Sequence, residues 1–457
     1  MKPSTPKGTR DFLPAEVRKR AYLFGVIREQ FRRFGYAPIE TPAMENLATL
    51  TGKYGEEGDQ LLFKVLNNGD FLAKADHDAL DARDSARATP SLARRGLRYD
   101  LTVPFARYVV QHRNDLQLPF KRSCIAPVWR ADRPQRGRYQ EFYQCDADVV
   151  GSDSLTYEAE LIRLLDRTFL ALGLKVTIRV NHRDVLQGIA ELSGAGAEHF
   201  ATLVTAIDKL DKIGPERVAM ELTNRGVAEE SARRAVSLLG ETSLARWPTL
   251  FAESAAGRRG VADLERVLAL VRGLAPEQRI AFDPALARGL SYYTGCIFEV
   301  VVDTEAPGQE GVAMGSIAAG GRYANLTEAF GGRELSGVGI SFGAERIYDV
   351  LDELDAWPEA VGTGRQILVA ALDDDSLAWA FAKTDELRGA GIAADCYPEA
   401  GKPKKPLRYA DAEGIPLVAL VGTREREAEA LSVKDLASGE QELMRVEELT
   451  TRLLTPA

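Results

Sequence analysis

The chain has little with which to hold a metal or a disulfide. Its four cysteines, Cys124, Cys145, Cys296 and Cys396, are scattered without a Cys-x-x-Cys pair, which argues against a zinc ribbon, a redox dithiol and a disulfide framework. The four histidines are widely separated and add nothing towards a transition-metal site. We therefore expect no zinc, no organic prosthetic group and no confident metal ligand from the protein itself. No apolar stretch is long enough to cross a bilayer, so no membrane partner is expected. The N-terminal residues lack the apolar core of a secretory signal, and acids soon follow them, unlike a transit peptide, which makes the cytoplasm the expected compartment. Fifty-eight basic against 67 acidic residues leave a net charge of −9, which speaks against a protein that coats nucleic acid nonspecifically. Two nucleotide motifs are also missing: Gly-x-x-x-x-Gly-Lys-Ser/Thr after a strand, and Gly-x-Gly-x-x-Gly opening a helix. Any use of ATP needs another solution.

What is present is a 457-residue chain, too long for one hydrophobic core, so two or three domains are expected. Helical spacing of apolar residues predicts an amphipathic helix over 15–34, ending at Gly35. Pro38 and Pro42 make the following segment extended and confine it to an edge or an interface. Strand-like runs follow at 61–66, 120–129 and 141–149, and the polar, alanine-rich stretch 76–91 reads as an exposed excursion. A helix at 154–172 and a strand at 175–180 precede a strongly helical region, 185–277, read as an inserted subdomain. Strand character returns at 297–302 and 315–319, after which Gly320-Gly321-Arg322-Tyr323 leads to another helix. Beyond the Pro and Gly punctuation at 359–364, strands at 366–372, 393–397 and 416–422 alternate with helices at 376–390 and 406–413, which implies a small α/β domain with a largely parallel sheet. The main domain is expected to be α+β, built on a mixed, mostly antiparallel sheet.

Arginines on a sheet can replace a phosphate-binding loop, because a guanidinium is permanently charged and grips phosphate oxygens in a planar fork. From Phe120 to Gln140 six basic residues, Lys121, Arg122, Arg130, Arg133, Arg136 and Arg138, stand against the single acid Asp132. A solvated face would explain such a run, but the order along Val128 to Gln144 is strand, basic Pro/Gly loop, returning strand. A second block, Gly337-Val338-Gly339-Ile340-Ser341-Phe342-Gly343-Ala344-Glu345-Arg346, is a glycine-spaced apolar strand that runs into a helix opening on Glu-Arg. A third, Arg288-Gly289-Leu290-Ser291-Tyr292-Tyr293, carries a fixed cation beside a glycine and two tyrosines that face opposite sides in extended backbone.

The first two blocks resemble motifs 2 and 3 of the class II aminoacyl-tRNA synthetases, and Pro42 stands where motif 1 has its proline at the dimer interface. The third block and Arg98-Tyr99-Asp100-Leu101-Thr102-Val103-Pro104 are similar to segments of the histidyl-tRNA synthetases. Lys7 to Phe12, Gln144-Cys145-Asp146-Ala147-Asp148, Gly320 to Tyr323 and Tyr409 to Pro416 agree with the same family, so the resemblance covers nearly the whole chain.

The resemblance implies a class II catalytic domain in two parts, 1–184 and 278–358, around a helical insertion at 185–277, then an α/β anticodon-binding domain at 364–457. It implies a cytoplasmic homodimer that activates L-histidine with ATP and magnesium, then charges histidine tRNA. Arg130 and Arg288 would act catalytically on the α-phosphate, with Arg346 on the γ-phosphate and Arg138 also at ATP. Asp100, Thr102 and Gln144 would receive the α-ammonium, Asp148 and Tyr293 would bracket the imidazole nitrogens, and Tyr292 would complete the pocket. Arg133, Gln135 and Arg136 would meet the acceptor end of the tRNA, while Lys402, Lys404, Lys405 and Arg408 fit either an anticodon-stem contact or a solvated loop. Three positions depart from the family pattern. Asp132 is one methylene shorter than the usual motif 2 glutamate, Asp100 stands where many bacterial members have glutamate, and Ser291 replaces a frequent aspartate. The competing reading is a regulatory paralogue of the same fold, the partner of ATP phosphoribosyltransferase. That protein typically lacks the C-terminal domain and degrades the Arg-Tyr block.

Overall fold

A computed structural model describes residues 2–53, 55–274, 276–287, 293–324, 328–332, 335–358, 361 and 364–454. Arg288, Ser291 and Tyr292, which carry three of the expectations above, lie outside the described residues. Two compact units emerge from the internal contacts: Met1–Asp11 with Leu23–Ala356, and Phe12–Tyr22 with Trp357–Ala457.

The larger unit is organised by its strands. After β1 (Ala37–Pro38), the short β2 (Met44–Asn46), β3 (Lys64–Val65) and β4 (Arg95–Leu97) form a small antiparallel sheet in the order β2-β4-β3. β5 (Phe120–Trp129), β6 (Glu141–Val150), β7 (Val176–His182), β8 (Arg279–Phe282), β9 (Tyr293–Val302), β10 (Ala318–Tyr323) and β11 (Gly337–Gly343) join β1 in an eight-stranded sheet ordered β1-β5-β6-β11-β10-β9-β7-β8. Only the outer pairs β1/β5 and β7/β8 are parallel. This is the mixed, mostly antiparallel sheet expected from the sequence.

One face of that sheet is closed by apolar packing. Phe342 on β11 points at Phe31 of the helix Pro14–Arg33 and at Phe169 of the helix Thr156–Ala171, with ring centroids 6.0 and 5.8 Å away. All three rings are buried, and each contributes at most about 3 kcal/mol of transfer free energy. Strand alternation then sends Ser341 and Gly343, and Gln144, Asp146 and Asp148 of the neighbouring β6, to the opposite face. Polar residues there need a ligand or each other.

Two readings of local structure are refined and a third holds. The stretch 76–91 is mostly exposed, as expected, but it is built of the helices His77–Asp81 and Ser85–Leu92, whose first turns are capped by Asp76 and Asp84 accepting from the N–H groups of Ala79 and Arg87. The glycines of 320–321 lie inside β10 rather than leading to a helix, and the next described element is a single 3-10 turn, Glu328–Phe330. Among the described residues, 183–272 are helices and connecting turns, from Arg183–Ser193 to Ala255–Arg272.

The smaller unit is a five-stranded sheet of β12 (Ile367–Ala371), β13 (Ala394–Cys396), β14 (Leu417–Val421), β15 (Leu431–Asp435) and β16 (Gln441–Met444), ordered β13-β12-β14-β15-β16. β12 and β14 are buried throughout, as parallel strands covered on both faces must be. Ala380 and Leu387 pack on one face and Ala410 and Ile415 on the other. The sheet is less parallel than expected, because β14/β15 and β15/β16 are antiparallel. Tyr22 and Trp357 meet edge to face within this unit, with ring centroids 6.3 Å apart.

Candidate active site

The register of the main sheet explains why these residues meet. Asp148 on β6 lies between Arg122 on β5 and Gly339 on β11, and Asp146 lies between Cys124 and Ser341. Gly339 pairs in turn with Gly321, and Gly337 with Tyr323 on β10. The glycine spacing of β11 is therefore steric. A Cβ at Gly339 would stand 2.0 Å from Asp148 Oδ1, and one at Gly337 would stand 2.4 Å from the Tyr323 ring.

Above these strands lies a cavity of about 190 Å3, lined by Asp100, Thr102, Arg130, Gln144, Asp146, Asp148, Tyr293 and Tyr323 together with strand backbone of β10 and β11. Six residues singled out from the sequence, Asp100, Thr102, Arg130, Gln144, Asp148 and Tyr293, thus share one concave site. Asp100 Oδ1 accepts the N–H of Val103 at 3.0 Å, which ties this acid to the first turn of the helix Thr102–Gln111. Gln144 Nε2 donates to Ser341 Oγ at 3.2 Å, so its carbonyl oxygen is turned away from that hydroxyl.

Beside the two acids of β6, Arg122 is completely buried. Its Nη2 lies 2.8 Å from Asp148 Oδ2 and 3.6 Å from Asp146 Oδ2, and the guanidinium stacks over Phe105 at 4.5 Å. Tyr323 donates its hydroxyl to Asp148 Oδ1 at 2.8 Å. Burial pushes the Asp148 carboxyl upward against the pull of Arg122 and the Tyr323 hydroxyl. Asp146 is pushed up to about 7, chiefly by burial, with Arg122 opposing and the Asp148 charge adding to the rise. The Tyr323 phenol is held far above its ordinary value by burial and then by the Asp148 charge, so it stays a donor. Asp146, Tyr323 and Arg122 were assigned no role from the sequence. Alternation along Gln144-Cys145-Asp146-Ala147-Asp148 did signal Asp146, since Cys145 and Ala147 face the closed side. Arg122 is legible only from the β5/β6 register.

Of the arginines proposed for phosphate, Arg130 lines this cavity, while Arg346 and Arg138 lie against or on the loop between β5 and β6. Arg130 donates from Nε to the Tyr99 carbonyl at 3.0 Å and lies 4.3 Å over the Tyr99 ring, which fixes the guanidinium plane. Arg346 donates to the carbonyls of Gly137 at 3.0 Å and Ser316 at 2.6 Å, bracing the loop between β5 and β6. Arg133, Gln135, Arg136 and Arg138 are exposed on that loop. Gln135 and Arg138 exchange backbone hydrogen bonds, Arg138 Nη1 lies 3.7 Å from Asp132, and Arg136 pairs with Glu353. The N-terminal segment latches the same loop. Gly8 accepts the N–H of Gln140 at 2.9 Å, and Arg10 pairs with Glu345 while its guanidinium lies 3.4 Å over the Tyr139 ring.

Other blocks serve the frame. Arg322 faces away from the cavity, into a fork with Glu158, and also donates to Ser336 Oγ at 2.6 Å. Lys402, Lys404, Lys405 and Arg408 are exposed around the start of the helix Lys404–Ala412. Pro42 is exposed. Among the described residues no group of three or more His, Cys, Asp or Glu side chains is placed to hold a metal ion.

An antiparallel sheet that presents an acid-lined pocket beside a fixed motif 2 arginine, followed by a separate α/β unit, defines a class II aminoacyl-tRNA synthetase. Known proteins bear this out. The family model described as histidyl-tRNA synthetase matches residues 8–74 and 70–347, and that of an anticodon binding domain matches 366–455. Histidine--tRNA ligases of Phocaeicola vulgatus and Porphyromonas gingivalis are each 48% identical to this chain, over 98% of both sequences. The crystal structure of histidyl-tRNA synthetase from Nostoc superposes with a TM-score of 0.83 at 31% identity, covering 99% of this chain and 100% of that one. A Bacillus halodurans structure titled ATP phosphoribosyltransferase regulatory subunit/histidyl-tRNA synthetase, with TM-score 0.70 at 19% identity over 92% of this chain, shares the fold alone. The chain belongs to the histidyl-tRNA synthetase family.

Proposed function

We infer that this chain is a histidine--tRNA ligase: it activates L-histidine with ATP to histidyl-adenylate and pyrophosphate, then transfers histidine to the 3′ end of histidine tRNA. The observation that carries the reading is the single cavity in which Asp100, Thr102, Arg130, Gln144, Asp148 and Tyr293 converge.

In the first step the histidine carboxylate attacks the α-phosphorus of ATP, and the bond to the bridging oxygen breaks to release pyrophosphate; magnesium would enter as part of the ATP substrate and offset its phosphate charge. No protein nucleophile is needed. Negative charge grows on the phosphoryl oxygens, and fixed cations in a water-poor site lower that barrier by several kcal/mol, about 10²-fold or more in rate per group. Arg130 is suited to this because its plane is set by Tyr99 before ATP arrives. Arg288 is assigned the opposite side of the α-phosphate. Arg346 and Arg138 are assigned to ATP, with Arg346 at the γ-phosphate, supported by the position of Arg346 against the loop carbonyl of Gly137.

For the imidazole, Asp148 and Tyr293 form the reading pair, supported by the hydroxyl of Tyr323 and the charge of Arg122 that hold the Asp148 carboxylate in place. Tyr292 is assigned to the wall of the same pocket. Asp100, Thr102 and Gln144 are assigned to the α-ammonium. In the second step the terminal tRNA hydroxyl attacks the adenylate carbonyl. Exposed Arg133, Gln135 and Arg136 are placed to draw the acceptor end to the loop, with the salt dependence that phosphate contacts carry. The family implies a cytoplasmic homodimer, and exposed Pro42 and Met44 beside the sheet-edge strand β1 suit that interface. The expected domain limits, catalytic parts at 1–184 and 278–358, an insertion at 185–277 and an anticodon-binding domain at 364–457, are retained as part of this reading.

Histidine-dependent ATP–pyrophosphate exchange followed by charging of histidine tRNA is the direct test. Exchange with another amino acid but not histidine refutes the substrate. Absence of any exchange moves the chain to the regulatory paralogue, against which the matched domain at 366–455 already counts. Arg288→Ala is expected to fold normally and lose adenylate formation by about 10²-fold or more, read in the same exchange assay, and retained activity removes Arg288 from the mechanism.

A further inference from the structure

Three acceptor atoms of the cavity's side chains have no hydrogen-bond donor among the described residues: Gln144 Oε1, Asp146 Oδ1 and Asp148 Oδ2. Asp148 Oδ2 is ion-paired to Arg122 at 2.8 Å, which leaves Gln144 and Asp146, two positions apart on the same face of β6. Asp146 is only 2% exposed, so water does not solvate its carboxyl freely, and an unmatched acceptor there is costly. Arg122 does not resolve the problem. Its Nη2 lies on the Asp148 side, 2.8 Å from that acid against 3.6 Å from Asp146, and it approaches Oδ2 of Asp146, not Oδ1.

We propose that Asp146 is a substrate-binding residue whose Oδ1, with Gln144 Oε1, accepts hydrogen bonds from the α-ammonium of the bound amino acid. The proposal rests on the reading that this cavity takes histidine and adds a recognition group to it. An ammonium carries three donors and no acceptor, so Asp146, Gln144 and the Asp100/Thr102 side of the cavity give it the acceptors it needs. The partition of acids follows from their existing ties. Asp148 is committed to Tyr323 and Arg122 and is left for the imidazole, whereas Asp146 keeps an oxygen for a cation. Burial holds the Asp146 carboxyl up to about 7 in the empty site, and an arriving cation favours its ionised form.

Two analogues separate the contacts. Histidinol keeps the amine and lacks the carboxylate, while imidazolepropionate keeps the carboxylate and lacks the amine. Calorimetric titration of the full-length protein measures their affinities in the wild type and in Asp146→Asn. The substitution conserves volume at a site where burial already favours the neutral form, and the melting temperature checks folding. The expected result is about 10- to 100-fold weaker histidinol binding, with imidazolepropionate changed less than about twofold. Equal weakening of both ligands assigns Asp146 to support of Arg122 and Asp148 and overturns the proposal, as does no weakening of either. A wild-type protein that binds neither histidine nor histidinol refutes the histidine pocket itself, a failure seen without any variant.

Discussion

Replacing Arg122 by methionine is expected to destabilise the protein by an amount that depends on pH. Arg122 is fully buried and stands against two buried carboxyls, Asp148 at 2.8 Å and Asp146 at 3.6 Å, while its stacking on Phe105 is a contact that methionine can partly retain. Removing one partner of a buried ion pair costs about 3–5 kcal/mol, because the remaining charge is left without solvent or counterion. The acids have an escape, which is to bind protons. Both carboxyls already lie above their ordinary values through burial, with Arg122 pulling them down, so its loss raises them further. In the sign convention of proton linkage, a folded state that binds more protons than the unfolded one loses stability as pH rises. For Asp146 the window opens at the ordinary value of 3.8 and closes near 7 in the wild type, and in Arg122→Met it extends higher. The variant is therefore expected to lose roughly 3–5 kcal/mol at pH 8 and markedly less at pH 5.5, where protonation neutralises the pair. Scanning calorimetry at the two pH values, following the transition of the larger unit and using wild type as control, reads this as a fall of roughly 5–10 °C at pH 8. An equal fall at both pH values means that Arg122 contributes by packing. No fall at pH 8 refutes the buried-pair argument altogether.

Gly339→Ala is expected to raise the KM for histidine by at least about tenfold in the exchange assay, because its Cβ would stand 2.0 Å from Asp148 Oδ1 and must displace that carboxylate from Tyr323. An unchanged KM refutes the assignment of Asp148 to the imidazole. Arg130→Ala is expected to fold normally and slow exchange by about 10²-fold or more, with the loss in kcat, since a transition-state contact is removed. A change confined to the KM for ATP assigns Arg130 to ground-state binding instead. Charging by the double variant Arg133→Ala/Arg136→Ala is expected to fall while exchange persists, and its tRNA affinity is expected to depend less steeply on salt than that of wild type. An unaltered salt slope removes these arginines from the acceptor contact.

The parts of the fold that were legible in the sequence were those governed by local pattern. β5 and β6 are β-branched and aromatic runs bounded by Pro and Gly, and they form at 120–129 and 141–150, within a residue of their expected limits. At 76–91 the exposure was legible from polar composition, but the two short helices were not read, although their capping aspartates were present. Glycine misled in the other direction at Gly320-Gly321, where a turn signal marks close strand contact: a Cβ at Gly320 would stand 2.1 Å from the Gly339 carbonyl oxygen. The antiparallel β15 and β16 escaped because the alternation of strand and helix that precedes them ends at β14. Within the site, family-like blocks led to Asp100, Gln144 and Asp148, but no linear pattern brings Arg122 to Asp148 or Tyr323 to Gly337. Those pairings are properties of the register between consecutive antiparallel strands, which the sequence of either strand alone does not state.

With Asp148 as the acid proposed to read the imidazole, the same register explains how so short a side chain can do so. Tyr323 occupies the space left by Gly337 and donates to one oxygen of Asp148, while Arg122 neutralises the other from the next strand. The carboxylate is thus oriented before any ligand enters, and the free energy of burying it is offset by contacts that do not change on binding. A ligand with an imidazole N–H adds a hydrogen bond to an acceptor already in position. A competitor of similar volume without that donor must bury the carboxylate further and return nothing, a penalty that discriminates more strongly than the loss of an apolar contact. On the proposed assignment of Asp148 to the imidazole, selectivity resides in Arg122, Tyr323 and the glycines of β11 as much as in Asp148, and a substitution that loosens this frame is expected to weaken discrimination even where every ligand-facing residue is retained.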